Sequence, residues 1–260
     1  MISQLLFAIV FIAAILLFYK NASKIYRNIR LGKSINRFDN PSERLKMMVL
    51  VAFGQKKMFK KPIPAILHLF VYVGFCIINI EMIEIVIDGL TGSHRVLSFL
   101  GEFYDVLIAS FEILAFTVLL SCFIFFMRRN LLKVKRLNQA ELNNWPKTDA
   151  NYILIAEILL MTAFLFMNAA DQKLQLLKPE NYTAAGSFPI SQYLVGLLPE
   201  TVSSLIFVER FSWWFHIVGV LAFLNYLPLS RHLHIILAFP NTYFSNLAPK
   251  GKFNNMESVM

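Results

Sequence analysis

Apolar residues run almost unbroken through five stretches, residues 2–19, 66–88, 104–127, 151–170 and 209–229, and charged residues collect between them. Each stretch is close to the roughly 20 residues that a helix needs to cross a hydrocarbon core of ~30 Å. Within lipid the backbone must satisfy its own hydrogen bonds, so such runs predict membrane-spanning helices. The first run has no basic residue ahead of it and no small-residue cleavage site after it, which predicts a retained helix and not a leader. The expected fold is an all-α integral membrane bundle of five spans.

The connectors sharpen this plan. Asn40-Pro41-Ser42-Glu43 reads as a helix start, and Val49-Leu50-Val51-Ala52-Phe53 extends it into a surface helix on the inner headgroups, suited to lipid anchoring or partner docking. Pro62 and Pro64 open the second span, Asp88-Gly89 closes it, and Arg128-Arg129 stops the third. The stretch from Asp171 to Glu209 is broken by Gly186, Pro189 and Pro199, and residues 190–207 are apolar enough to lie on the outer interface or cap the bundle. Residues 1–240 read as the membrane domain and 241–260 as a polar tail without an element of its own at Ser258-Val259-Met260. The absence of repeated halves or broken-helix pairs argues against a transporter.

Composition agrees: 57% hydrophobic, 16% charged and 25 phenylalanines exclude an ordinary soluble domain. The net charge of +9 is a topology signal, since 21 of the 25 Lys and Arg fall in alternate connectors. Only Arg95, Lys173, Lys178 and Arg210 lie on the other side, which predicts an external N-terminus and a cytoplasmic C-terminus. No separate basic domain exists to engage nucleic acid. Cys76 and Cys122 read as small buried hydrophobes, with no thiolate set for a cluster or structural zinc. Walker, GxGxxG and GxSxG motifs are absent, which leaves nucleotide and hydrolase chemistry without footing.

Chemistry rests on histidines in apolar surroundings. His216 and His234 lie 18 residues apart, a spacing that returns to one helical face about 27 Å further on, and His232 would point to nearly the opposite side. Imidazoles placed so in a membrane helix suggest ligands to an iron porphyrin. His68, near the inner start of the second span, matches His234 in depth, and the two read as a bis-histidine pair for haem b. His216 has three readings: ligand of a second haem, hydrogen-bond donor to a quinone, or structural residue. The outer half of the second span offers it Asn79, Glu81 and Glu84 but no histidine, and His94 sits in the loop beyond, at the surface or folded back.

Glu81, Glu84 and Asp88 share one helical face, with Asp88 interfacial and Glu81 and Glu84 suited to passing quinol protons outward. Glu112 and Glu157 lie similarly inside the third and fourth spans, for helix pairing or for function. Trp213-Trp214 reads as an aromatic belt or a porphyrin-edge contact. Gly74 and Gly219 permit either a macrocycle against the backbone or close helix packing.

With these residues in place, the chain resembles the cytochrome b (gamma) subunit of respiratory nitrate reductase and its relatives in the heterodisulfide-reductase-like enzymes. His68, His216, His234 and the exit Leu227-Pro228-Leu229-Ser230-Arg231-His232-Leu233-His234 carry the likeness. The resemblance implies that His68 and His234 hold the haem nearer the cytoplasm. The outer haem of that family takes a second histidine ten residues after the first, and Ile78 stands there in this chain. Phe53-Gly54-Gln55, Phe239-Pro240-Asn241-Thr242-Tyr243 and Pro249-Lys250-Gly251-Lys252 are similar to bacterial membrane Fe–S oxidoreductases. That likeness implies the bacterial inner membrane, a menaquinone or other quinone partner, and [4Fe-4S] clusters in a cytoplasmic domain after residue 260 or in a separate subunit. The expected function is electron transfer between the quinone pool and those clusters through haem b. The alternative is a haem-free membrane anchor for a cytoplasmic Fe–S enzyme.

Overall fold

A computed structural model describes residues 1–248 other than 33–34, 56–57, 135–136, 138, 143, 178–181 and 183. Lys178, the motif at 249–252 and the end of the tail lie outside the described residues. Seven α-helices appear among the described residues: α1 (Ile2–Ile29), α2 (Pro41–Met48), α3 (Pro62–Thr91), α4 (Glu102–Asn130), α5 (Trp145–Leu177), α6 (Val202–Tyr226) and α7 (His234–Tyr243). α1, α3, α4, α5 and α6 are long and apolar enough to cross a membrane, as the five runs require. α1, α3, α4 and α5 outlast their apolar runs, because residues at their ends continue the helix beyond the run, whereas α6 starts before its run and stops short of its end.

α3 packs on α4, α4 on α5 and α5 on α6, and α1 packs against both α3 and α6. Half of the apolar window of α5 is buried against 6% of that of α1, so α5 is the central post and α1 the outer stave. α1 enters the bundle chiefly through Phe7, which is 1% exposed and packs with Ile85, Ile217 and Leu221. Gly89 makes room for that ring, since a Cβ there would strike it. Gly74 and Gly219 are packing glycines as well. A side chain at Gly74 would collide with Val118 of α4, and one at Gly219 with Leu160 of α5.

Two expectations change. The fifth span begins at Val202 and does not run on to His234. It ends at Tyr226, and short 3-10 turns at Leu227–Leu229 and Arg231–Leu233 flank an extended Ser230 (φ −107°, ψ 170°). Pro228 lacks an N–H to continue the ladder, and Ser230 Oγ accepts from the His232 N–H and restarts the chain in a new direction. The 18-residue phase from His216 to His234 is therefore lost, and with it the opposite facing of His232. Nor does the segment after Asn40 lie free on the surface. Arg44 of α2 is 4% exposed and donates to the backbone oxygens of Tyr243 (3.1 Å) and Ser245 (2.9 Å), which fastens α2 to the end of α7.

Residues 190–198 fold as capping turns. Glu112 of α4 accepts from the N–H groups of Ile190 (2.9 Å) and Ser191 (3.1 Å) and from Asn168 (3.2 Å), so this buried carboxylate is structural.

Candidate functional site

Four spans surround a chamber of about 400 Å³, floored by the segment after α2 and by α7. The floor depends on local backbone. A π-turn at Val49–Phe53 is followed by Gly54 and by Gln55 in the left-handed region (φ 46°), which swings Gln55 toward α3. Phe53 stacks against Phe239 of α7 with ring centroids 4.8 Å apart.

His68, His216, His232 and His234 all line this chamber. His68 Nδ1 bonds to Gln55 Oε1 (3.1 Å), His216 Nδ1 to the Leu160 oxygen (3.0 Å) and His234 Nδ1 to the Arg231 oxygen (2.9 Å). Those oxygens accept only, so in each ring the proton sits on Nδ1 and the Nε2 lone pair is free. Nδ1 anchored to an oxygen with Nε2 left free is how metal-bound imidazoles are oriented. His232 packs edge-on to His234, with centroids 5.5 Å apart, and burial together with His234 pushes its imidazole down to about 4. The donor set fits an iron porphyrin, which needs two neutral imidazoles and apolar walls. No cluster of three or more His, Cys, Asp or Glu suited to a metal ion occurs among the described residues.

The α3 wall of the chamber runs from His68 to Met82, about 21 Å at 1.5 Å per residue. Ile78, buried, faces it at mid-depth, as do Cys122 of α4 and Glu157 of α5. Cys76 lines it too and is exposed, unlike the buried thiol expected.

Glu81 and Glu84 belong elsewhere. They line a separate polar vestibule of about 170 Å³ at the Met1 end, with Asp88, His94, Arg95, Asp171, Trp213 and others. The sequence grouping of His216 with Glu81 and Glu84 is thus divided between two cavities, because successive helical faces of α3 turn one to each. Glu84 is engaged by Tyr104 (3.1 Å) and the Leu97 N–H (2.9 Å). Glu81 is 2% exposed, and its Oε2 has no partner among the described residues. His94 folds back onto Asp171 (3.0 Å) and does not line the chamber of His216. Trp213 and Trp214 pack on each other and on Phe7 beside the vestibule, away from the histidine chamber.

Arg95 organises that end. It reaches Asp171 (2.6 Å), Asn168 (2.9 Å) and Tyr104 (3.1 Å) and lies over the Phe188 ring. Burial works against its charge, but Asp171, Tyr104 and Glu81 outweigh it and hold the guanidinium protonated. Sequence reasoning assigned no role to Arg95, Asp171 or Gln55. Only Gln55 left a signal, as the last residue of Phe53-Gly54-Gln55.

Comparison with known proteins adds two relatives. The chain is 30% identical over 259 residues, 98% of its length, to the probable iron-sulfur-binding oxidoreductase FadF of Bacillus subtilis. It is 22% identical over 222 residues, 83% of its length, to an EtfAB:quinone oxidoreductase of Syntrophomonas wolfei. The chain spans about a third of the length of these relatives, 34% and 30% respectively. No family model matches the chain, and no solved structure matches it at a significant level. The similarity is thus to a minor part of two longer oxidoreductases, one named for iron–sulfur and one for quinone.

Proposed function

We propose that this chain is the membrane part of a quinone-linked Fe–S oxidoreductase, a cytochrome-b-like domain that moves electrons between the quinone pool and cytoplasmic clusters. The observation that carries the reading is the pairing of His68 and His234 in one apolar chamber, each with Nδ1 anchored to an oxygen. His68 from α3 and His234 at the start of α7 would hold haem b, which supplies one-electron transfer when bound. Gln55 and the Arg231 carbonyl fix the two rings, and mostly apolar side chains line the space around them. The names of the relatives support both an iron–sulfur partner and a quinone partner.

Alternating Lys and Arg support the Met1 end as external and the His234 end as cytoplasmic, beside a cluster-bearing domain or subunit. Glu81, unpaired in the vestibule, is suited to carry protons at the outer side. Glu84 is held by Tyr104 and Leu97, which suits it less.

A reduced-minus-oxidised visible spectrum of the purified protein tests the reading. A b-type haem spectrum that appears on adding a quinol is expected. A protein that inserts in the membrane and carries no haem is the haem-free anchor instead.

A further inference from the structure

The chamber holds more ionisable chemistry than a pair of haem ligands accounts for. Glu157 of α5 faces it and has no hydrogen bond or ion pair among the described residues, whereas Glu112 on α4 accepts three hydrogen bonds. His216 faces the same space and is tied through Nδ1 to Leu160, three residues and one helical turn from Glu157. A carboxyl and an imidazole with a free Nε2 therefore converge on one apolar volume, deeper than His68 by the course of α3. A concave apolar site with a few convergent polar groups is the usual form of a small-ligand pocket.

The surroundings suit a lipid-soluble occupant. A groove of about 470 Å³ between α5 and α6, lined almost wholly by apolar side chains, shares Ile153, Leu160 and Phe223 with the chamber wall. An apolar tail can lie there while its ring sits within. The outer vestibule is smaller and sets Asp88, Arg95, Asp171, Glu209 and Arg210 among its apolar side chains.

We propose that the deep half of the chamber is the quinone site, with Glu157 and His216 on opposite oxygens of the ring. The proposal rests on the function proposed above and assigns its quinone chemistry to residues of this chain. In quinol oxidation both ring O–H bonds break. One proton would go to the Glu157 carboxylate and the other to His216 Nε2, and the two electrons would leave one at a time, each passing through the b haem that His68 and His234 would hold to an oxidised Fe–S cluster of the partner domain or subunit. Quinone reduction is the reverse.

Photolabelling of the chain in nanodiscs with an azido-naphthoquinone reads the location without turnover. The label should map to peptides of α5 or α6 and be competed by menaquinone. Stopped-flow haem reduction by a naphthoquinol then reads the role. Glu157→Gln should slow it about 10²-fold with an unchanged dithionite-reduced spectrum. Labelling confined to α1 or to residues 92–101, or a wild-type rate in Glu157→Gln, overturns the proposal. A chain that takes the label on α5 or α6 but contains no haem leaves the quinone site standing and removes the haem reading, so the two failures are distinguishable.

Discussion

The two cavities bury polarity in opposite ways. In the vestibule each donor of Arg95 is matched, to Asp171, Asn168 and Tyr104, and its backbone N–H is taken by Asp88 at 2.8 Å. In the chamber the half-buried His68, the buried His216 and the exposed His234 are each anchored through Nδ1, and the half-buried Glu157 has no hydrogen bond or ion pair among the described residues. Buried polar groups are normally satisfied, because an unmet one costs about 1–3 kcal/mol. The Arg95 network of the vestibule ties loops and helices together, whereas the polar groups of the chamber face an open cavity. Glu81 Oε2 and His94 Nδ1 are buried on the vestibule side without a partner among the described residues.

The largest expected effect breaks the vestibule. Arg95→Ala leaves the buried Asp171 carboxylate only His94 and Gln175 and should cost about 3 kcal/mol, the lower end of the usual loss on removing one partner of a buried pair. Reversible unfolding in mixed micelles measures it, and a loss below 1 kcal/mol would show that water already shares the site.

Next comes a contrast between two interior carboxyls. Glu112→Gln should destabilise by about 1–3 kcal/mol, because an amide cannot serve all three donors as well. Glu157→Gln should be neutral or slightly stabilising, since no protein donor is lost. Equal losses in the same unfolding assay would mean that the chamber is a structural core.

A smaller effect is expected one contact away from the proposed iron. Gln55→Leu leaves the His68 ring unanchored and should weaken haem retention about 10–100-fold, the usual cost of losing such an orienting partner. Haem transfer to apomyoglobin gives the loss rate, and an unchanged rate would show that His68 is oriented by its packing alone.

The membrane plan was legible because lipid imposes it. A span must be apolar along its whole length, and each of the five runs falls largely within one long helix. That His68 and His234 line one cavity follows from their matched depth, since an imidazole in apolar surroundings stands out. Relative facing was not legible. The phase from His216 to His234 assumed one straight helix, and Pro228 with Ser230 ended it. Gln55 reaches His68 only because a π-turn and a left-handed residue redirect the chain, neither of which apolar periodicity encodes. Arg95 and Asp171 are 76 residues apart, and their meeting depends on how α3 and α5 end against each other.

The central claim is that His68 and His234, and not their neighbour His232, hold one b haem. Pyridine haemochrome stoichiometry on purified wild type, His68→Ala, His234→Ala and His232→Ala tests it most directly, with membrane insertion checked for each. The account predicts haem in the wild type and in His232→Ala, and its loss in the other two. Full haem content in His68→Ala or His234→Ala, or loss in His232→Ala alone, would contradict it.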